Sequence, residues 1–269
     1  MNGSPLIDAA NAVFWDELCG STFARALGIQ DQSKASLDRF DRAYLEMYPY
    51  LLRHVPVKEM RDQDVLEIGL GYGTLSQQIA QAGARYNGLD IAAGPVRMVN
   101  HRFSMAGLAG KAVRGSMLAC PFPDESMDRV VSIGCFHHTG DLKRCIDETW
   151  RVLRPGGIAH IMVYNLLSYR QWLRWPAVTL RAALGRSEAA VDAQRKAYDA
   201  NTSGEGAPET VFTSIAQLGA MMAAFASVSV ARENCDPITL RGRLLIPRSR
   251  LLGNLGRLSG LDLYATARK

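Results

Sequence analysis

The sequence predicts a doubly wound α/β fold: a mostly parallel, seven-stranded sheet with helices on both faces, preceded by a helical lead and carrying a helical insert. Three observations predict it. Short apolar runs alternate with stretches of helical periodicity from about residue 61 onward. A glycine-rich turn joins the first apolar run to the first helix. The composition, 48% hydrophobic and 21% charged over 269 residues, is that of a folded globular chain with ample core.

The first strand is Val65 to Ile68, followed by the glycine turn and a helix with Leu75 and Ile79 on one face. Strands follow at about Arg85 to Asp90, Ala112 to Arg114 and Arg129 to Ile133. The clearest helix repeats Leu142, Cys145, Ile146, Trp150 and Leu153 at helical spacing; Asp141 caps its start and Pro155-Gly156-Gly157 stops it. The fifth strand is Ile158 to Tyr164. The rhythm then breaks: residues 166–200 read as one or two helices and 201–208 as a Gly/Ser/Pro loop. A helix over Ser214 to Phe225 and strands over Val228 to Arg232 and Leu261 to Ala267 complete the sheet. Residues 1–60 form the lead, with Phe40, Tyr44, Tyr48 and Leu51 in helical pattern. The uncharged run Thr210 to Ala231 holds too many polar and small residues for a membrane span and reads as helix plus strand.

Five cysteines, with no C-x-x-C pair, argue against structural zinc or a disulfide framework and fit a reduced, cytoplasmic setting. The first basic residue is Arg25, so the start does not read as a secretory signal. The net charge of +5 is uneven. Residues 1–164 carry 17 basic and 18 acidic side chains; residues 165–269 carry 14 and 8. Arg241, Arg243, Arg248, Arg250 and Arg257 crowd one stretch, which fits an anionic partner or an ordinary solvated face. The second is favoured, and the lack of aromatic residues between these arginines argues in addition against a platform for stacking single-stranded bases.

The segment Glu67-Ile68-Gly69-Leu70-Gly71-Tyr72-Gly73-Thr74 leaves a strand and opens a helix. Its glycines admit positive φ, and the helix start offers free N–H groups, so a nucleotide-like ligand is expected here. A dinucleotide fingerprint places its third glycine one residue later, where Thr74 stands. Asp90 ends the second strand, where a carboxylate can accept both ribose hydroxyls; by itself it also fits a nicotinamide enzyme.

Taken together these residues resemble the class I S-adenosylmethionine-dependent methyltransferases, whose fold is Rossmann-like. Glu67-x-Gly69-x-Gly71-x-Gly73 looks like that family's first motif, and Asp90 matches its ribose-binding acid. Pro121 to Asp128 resembles the approach to its fourth strand, and Leu153-Arg154-Pro155-Gly156-Gly157 the turn before its fifth. Phe136-His137-His138 sits where the ubiquinone/menaquinone-type subgroup often has Leu-His-His. The resemblance covers residues 60–165 well and implies S-adenosyl-L-methionine as cofactor. It implies a methyltransferase domain over 61–269, with residues 1–60 and an insert at about 166–213 forming the acceptor cap. One departure stands out: Gly115-Ser116-Met117 replaces the family's Gly-Asp, so adenine is met by a hydroxyl and backbone groups rather than a carboxylate.

By that resemblance, Glu67 holds the methionine ammonium, while Gly69, Gly71, Tyr72, Gly73, Asp90, Ile91, Ser116, Met117 and Gly134 line the cofactor. His137 and His138 follow the fourth strand at the edge where α/β ligands bind, and His138 is preferred over His137 as a base. Tyr44, Tyr48, Phe136, Tyr164 and Asn165 are acceptor-side candidates. Cys135 lacks the Pro-Cys context of a nucleic-acid C5 nucleophile. Trp172 and Trp175 belong to a lid wall or only pack the insert. The lead function is transfer of a methyl group to a small-molecule acceptor, and the Trp, Leu and Arg of the cap point to one that is partly apolar and anionic. Competing readings are an RNA methyltransferase, a non-catalytic cofactor-binding relative and a nicotinamide dehydrogenase. The absence of an Asn/Asp-Pro-Pro-Tyr segment after strand four counts against nucleic acid, and the glycine spacing against NAD.

Overall fold

The computed structural model describes residues 5–184, 188–240 and 243–269. Its strands are β1 (Asp64–Ile68), β2 (Arg85–Asp90), β3 (Lys111–Arg114), β4 (Met127–Ile133), β5 (Leu153–Tyr164), β6 (Ser227–Glu233), β7 (Ile238–Leu240), β8 (Arg243–Ile246) and β9 (Asp262–Arg268). Seven form one sheet in the order β3-β2-β1-β4-β5-β9-β6. Strands β1 to β5 pair in parallel, and β9 runs antiparallel between β5 and β6. The order reverses between β1 and β4, so a crevice opens beyond their carboxyl ends, where ligands of open α/β sheets bind. Because β9 is antiparallel, its first residue, Asp262, lies beside Tyr164 at that same edge.

Strand alternation builds a core on each face. Leu66, Ile68, Val130, Ile161 and Val163 pack against Cys145 and Ile146 of the helix Leu142–Val152 and Leu218 of the helix Ile215–Met221. Val65, Val131 and Met162 face the other way, onto Ile79, Val99, Phe103 and Leu51. Asp141 caps the helix Leu142–Val152 by accepting from the Arg144 amide. A reciprocal capping box of Ser214 and Gln217 starts the helix Ile215–Met221.

The structure differs from the sequence expectations in three places and fills in the insert, where one or two helices were expected. Pro155-Gly156-Gly157 does not precede β5 but bulges within it: Met127 pairs with Leu153 and Arg129 with Ile158, and Gly156 sits at φ +80°. The helix expected to reach Phe225 ends at Met221, and a turn carries the chain into β6. The insert comprises a π-helical turn (Arg170–Arg174) and helices Pro176–Ala183 and Glu188–Tyr198. The β7–β8 hairpin, with β8 exposed along its length, has no sequence counterpart. The arginine cluster also divides. Arg248 turns inward, donating to the carbonyls of Cys235 and Met47 and to Asn234 Oδ1, while Arg243, Arg250 and Arg257 are exposed; Arg241 lies outside the described residues. Among the described residues no helix is long and apolar enough to cross a membrane.

A buried ion pair fastens the lead to the glycine loop. Arg102 grips Asp41 with two hydrogen bonds of 2.9 Å, and Asp41 also accepts from Thr74 Oγ1 at 2.6 Å. Asp41 belongs to the lead helix Lys34–Met47 and Thr74 opens the helix Thr74–Gln81.

Candidate active site

A cavity of about 400 Å³ opens at the carboxyl ends of β1 and β4. Its first wall is the turn after β1. Gly69, Gly71 and Gly73 adopt φ of +80°, +50° and +76°. At Gly69 the need is absolute in space as well as in angle: a Cβ there would lie 2.4 Å from Cys135 Cβ. Tyr72 stacks on Phe40 of the lead at 4.1 Å between ring centroids.

Two carboxylates frame this wall. Asp90 accepts from the Leu70 amide at 2.8 Å through Oδ2 and from the Ala92 amide at 2.9 Å through Oδ1. Each oxygen keeps a lone pair for a ligand hydroxyl. Burial pushes its carboxyl up to about 6, against the pull of those backbone donors. Glu67 Oε2 accepts from Ser76 Oγ and Tyr86 Oη, both at 2.6 Å, rather than from loop amides. Burial pushes Glu67 up to about 7, a carboxylate poised to gain from a neighbouring cation. Ile91, Ser116, Met117 and Gly134 line the same cavity, and Ser116 Oγ accepts from the Leu118 amide. A hydroxyl-binding acid, a desolvated acid and a cradle of three glycines at positive φ fit the ribose, the ammonium and the backbone approach of S-adenosylmethionine.

The opposite wall carries His138. Its Nδ1 lies 2.7 Å from the Glu209 carbonyl, which can only accept, so Nδ1 holds the proton and Nε2 is left facing Asp199 Oδ2 at 3.5 Å. Tyr164 Oη donates to the same Asp199 oxygen at 2.8 Å. Burial raises the Asp199 carboxyl, against the pull of His138 and of the Tyr164 bond. The lead closes over this corner: Trp15 lies 4.8 Å from the His138 ring, Asn11 Nδ2 donates to the His138 carbonyl, and Glu17 accepts from Thr202. Tyr44 and Tyr48, 4.9 Å apart, line the cavity from the lead helix.

Five sequence candidates stand away from the cavity. His137 is fully buried, packs tilted against Tyr164 with ring centroids 4.1 Å apart and is held neutral by burial, because its 3₁₀ turn directs it into the interior while His138 lines the cavity. Phe136 packs in the core beneath the sheet edge. Asn165 is tied up by the Gly260 carbonyl and the Leu167 amide. Trp172 is largely exposed and donates to Leu166, and Trp175 packs edge-on behind Tyr198; neither lines the cavity. Burial holds the Cys135 thiol well above its usual range, the opposite of an activated nucleophile.

Sequence reasoning missed Asp199, Tyr198, Arg170 and Asp262, all of which line the cavity. For Asp262 a signal existed, since an acidic residue at a strand end is what singled out Glu67 and Asp90. Asp199 and Arg170 come from the insert, and nothing local marks them.

Residues 66–161 match the family model described as a methyltransferase domain. This stretch is a class I S-adenosylmethionine-dependent methyltransferase domain, and its cofactor is S-adenosyl-L-methionine. Among curated proteins, the chain is similar to a phthiotriol/phenolphthiotriol dimycocerosates methyltransferase of Mycobacterium ulcerans. They are 30% identical over 142 residues, 52% of this chain and 50% of the relative. It is also similar to a demethylmenaquinone methyltransferase of Tropheryma whipplei, 25% identical over 48% of this chain and 56% of the relative. The chain thus spans about half the length of these two relatives. The fold matches a putative methyltransferase from Bacillus halodurans, with TM-score 0.57, 13% identity and coverage of 81% of this chain and 98% of that one. It also matches a methyltransferase from Mesorhizobium loti, with TM-score 0.54, 15% identity and coverage of 82% and 97%.

Proposed function

We propose that the chain transfers the methyl group of S-adenosylmethionine to a small-molecule acceptor held between the lead and the insert. The observation that carries this reading is a single cavity with the Glu67, Asp90 and glycine-loop wall on one side and His138 with Asp199 on the other. Bound there, the cofactor supplies a sulfonium-activated methyl. Asp90 receives the ribose hydroxyls, Glu67 faces the ammonium, and Ser116 meets the adenine edge.

The work left to the protein is alignment and exclusion of water, and positioning alone supplies roughly 7–11 kcal/mol in the best cases. Tyr44, Tyr48 and Trp15 of residues 1–60, with Tyr198 of the 166–213 insert, form the acceptor side of the chamber. Where the acceptor must lose a proton, His138 Nε2 takes it, and Asp199 stabilises the resulting imidazolium across 3.5 Å. His137 plays no part in proton transfer. All five cysteines are unpaired, which suits a reducing compartment such as the cytoplasm.

The test is formation of S-adenosylhomocysteine from S-adenosylmethionine across a panel of small-molecule acceptors, with RNA as a parallel substrate. Turnover on a small molecule supports the reading, and for an acceptor that must lose a proton His138→Ala should lower it while cofactor binding persists. Turnover on RNA alone overturns it, and cofactor binding without any turnover moves the chain to a non-catalytic role.

A further inference from the structure

The acceptor side of the cavity contains a group that the mechanism above does not use. Asp262 opens β9, is 1% exposed and lines the cavity; neither carboxylate oxygen has a donor in good hydrogen-bonding geometry among the described residues, the neighbouring Asn234 side chain being close enough to favour its charge but not placed to satisfy it. A buried carboxylate without a well-placed donor is costly, so its retention at a ligand wall points to a partner that arrives with the ligand.

The surrounding charge says what kind of partner. Among the described residues the cavity lining holds five carboxylates, those of Asp8, Glu67, Asp90, Asp199 and Asp262, against one arginine and no lysine. That arginine, Arg170, is already committed, donating through Nε and Nη2 to both oxygens of Asp236 and lying 4.5 Å over the Tyr198 ring. The other nearby cation, Arg248, does not line the cavity and is spent on carbonyls, Asn234 and the faces of Tyr48 and Tyr50. A chain with net charge +5 therefore encloses an acidic chamber.

The walls around Asp262 are aromatic. Tyr264 is its next neighbour on the same face of β9, and Tyr164 is its register partner on β5. Tyr44 and Tyr48 approach from the lead, and all four line the cavity. Tyrosine faces and a desolvated carboxylate together recognise a cation with an apolar body.

We infer that Asp262 is the docking point for a cationic nitrogen of the acceptor, so that the acceptor class is an amine with an apolar or aromatic body. The inference rests on the methyl-transfer reading and concerns what the chamber binds, not which atom is methylated. It reverses the anionic acceptor that the arginines of the insert suggested: one of them, Arg170, is neutralised by Asp236 at the cavity wall. Burial pushes the Asp262 carboxyl up to about 7, which fits a group that gains its counter-charge on binding.

Three probes of one skeleton test this: tyramine, 4-ethylphenol and 4-hydroxyphenylacetate, titrated calorimetrically into protein saturated with S-adenosylhomocysteine. Tyramine is expected to bind about tenfold tighter than 4-ethylphenol, and the carboxylate not measurably. Asp262→Asn is expected to bring tyramine to the level of 4-ethylphenol while affinity for S-adenosylhomocysteine stays within about twofold, which also shows that the variant is folded. Equal binding of tyramine and 4-ethylphenol overturns the inference. So does preference for the carboxylate, an ammonium preference that survives Asp262→Asn, or binding of none of the three to the loaded protein. Failure of S-adenosylhomocysteine itself to bind is seen in the first titration and removes the donor reading, and this inference with it.

Discussion

The donor and acceptor walls of the cavity are built on opposite plans. On the donor wall the polar groups are already satisfied: Asp90 accepts two backbone amides and Glu67 two hydroxyls. They come from one βαβ stretch, and their positions follow from local backbone geometry. The acceptor wall gathers Trp15, Tyr44, His138, Asp199 and Asp262 from five separate segments, and one of its carboxylates has no well-placed donor among the described residues. A satisfied wall is suited to one fixed ligand, whereas an assembled wall with an unmet charge gets its specificity from what fills it.

The largest effect that would sharpen this contrast is catalytic. For an acceptor that must lose a proton, His138→Ala is expected to lower kcat by about 10²–10⁴-fold. Affinity for S-adenosylhomocysteine should stay within about twofold, since His138 stands on the other wall; an equal loss in both would merge the two walls into one site. Asp41→Ala tests the fastening between them. It leaves the Arg102 guanidinium buried and unpaired, at a cost of about 3–5 kcal/mol, read as a lowered midpoint in urea unfolding. An unchanged midpoint would mean that the ion pair does not hold the lead.

A smaller, pH-dependent effect follows from the raised carboxyls. Glu67 titrates near 7 when folded against 4.5 as its ordinary value, and Asp262 near 7 against 3.8. Between those limits each of these two groups holds its proton more tightly in the folded chain, so its contribution to the stability of the ligand-free protein falls as pH rises through about 4 to 7. Buried His137 and His160, held below their usual range, pull the other way. The check is therefore a comparison: between pH 5.5 and pH 8 the thermal midpoint of Glu67→Gln should lose less, or gain more, than that of the wild type, and the same pH dependence in both would contradict the burial of Glu67. The smallest effect expected is at Ser116: Ser116→Asp should tighten S-adenosylmethionine binding a few-fold by restoring a charged acceptor at the adenine edge, and weaker binding would place adenine elsewhere.

The same contrast explains what the sequence revealed. The seven main strands, the cap at Asp141 and every donor-wall residue were legible, because strand alternation, glycine turns and strand-end acids are short-range signals. Single residues on the acceptor wall were harder. His137 and His138 are chemically identical in sequence, and only the 3₁₀ turn decides that His138 faces the cavity. Phe136 and Asn165 lie at the right strand ends but point into the core and to the Gly260 carbonyl. Asp199 and Arg170 reach the site because the insert folds back over it, which no local pattern encodes. The bulge at Pro155-Gly156-Gly157 reads like a helix stop because both need a glycine at positive φ.

The division into two walls is tested most directly by titrating S-adenosylhomocysteine into the wild-type chain, Asp90→Ala and Asp262→Asn, with NAD as a control ligand. The structure predicts tight binding to the wild type, none measurable to Asp90→Ala, an affinity within about twofold of wild type for Asp262→Asn, and no binding of NAD. Equal losses in both variants, or binding of NAD in place of S-adenosylhomocysteine, would contradict it.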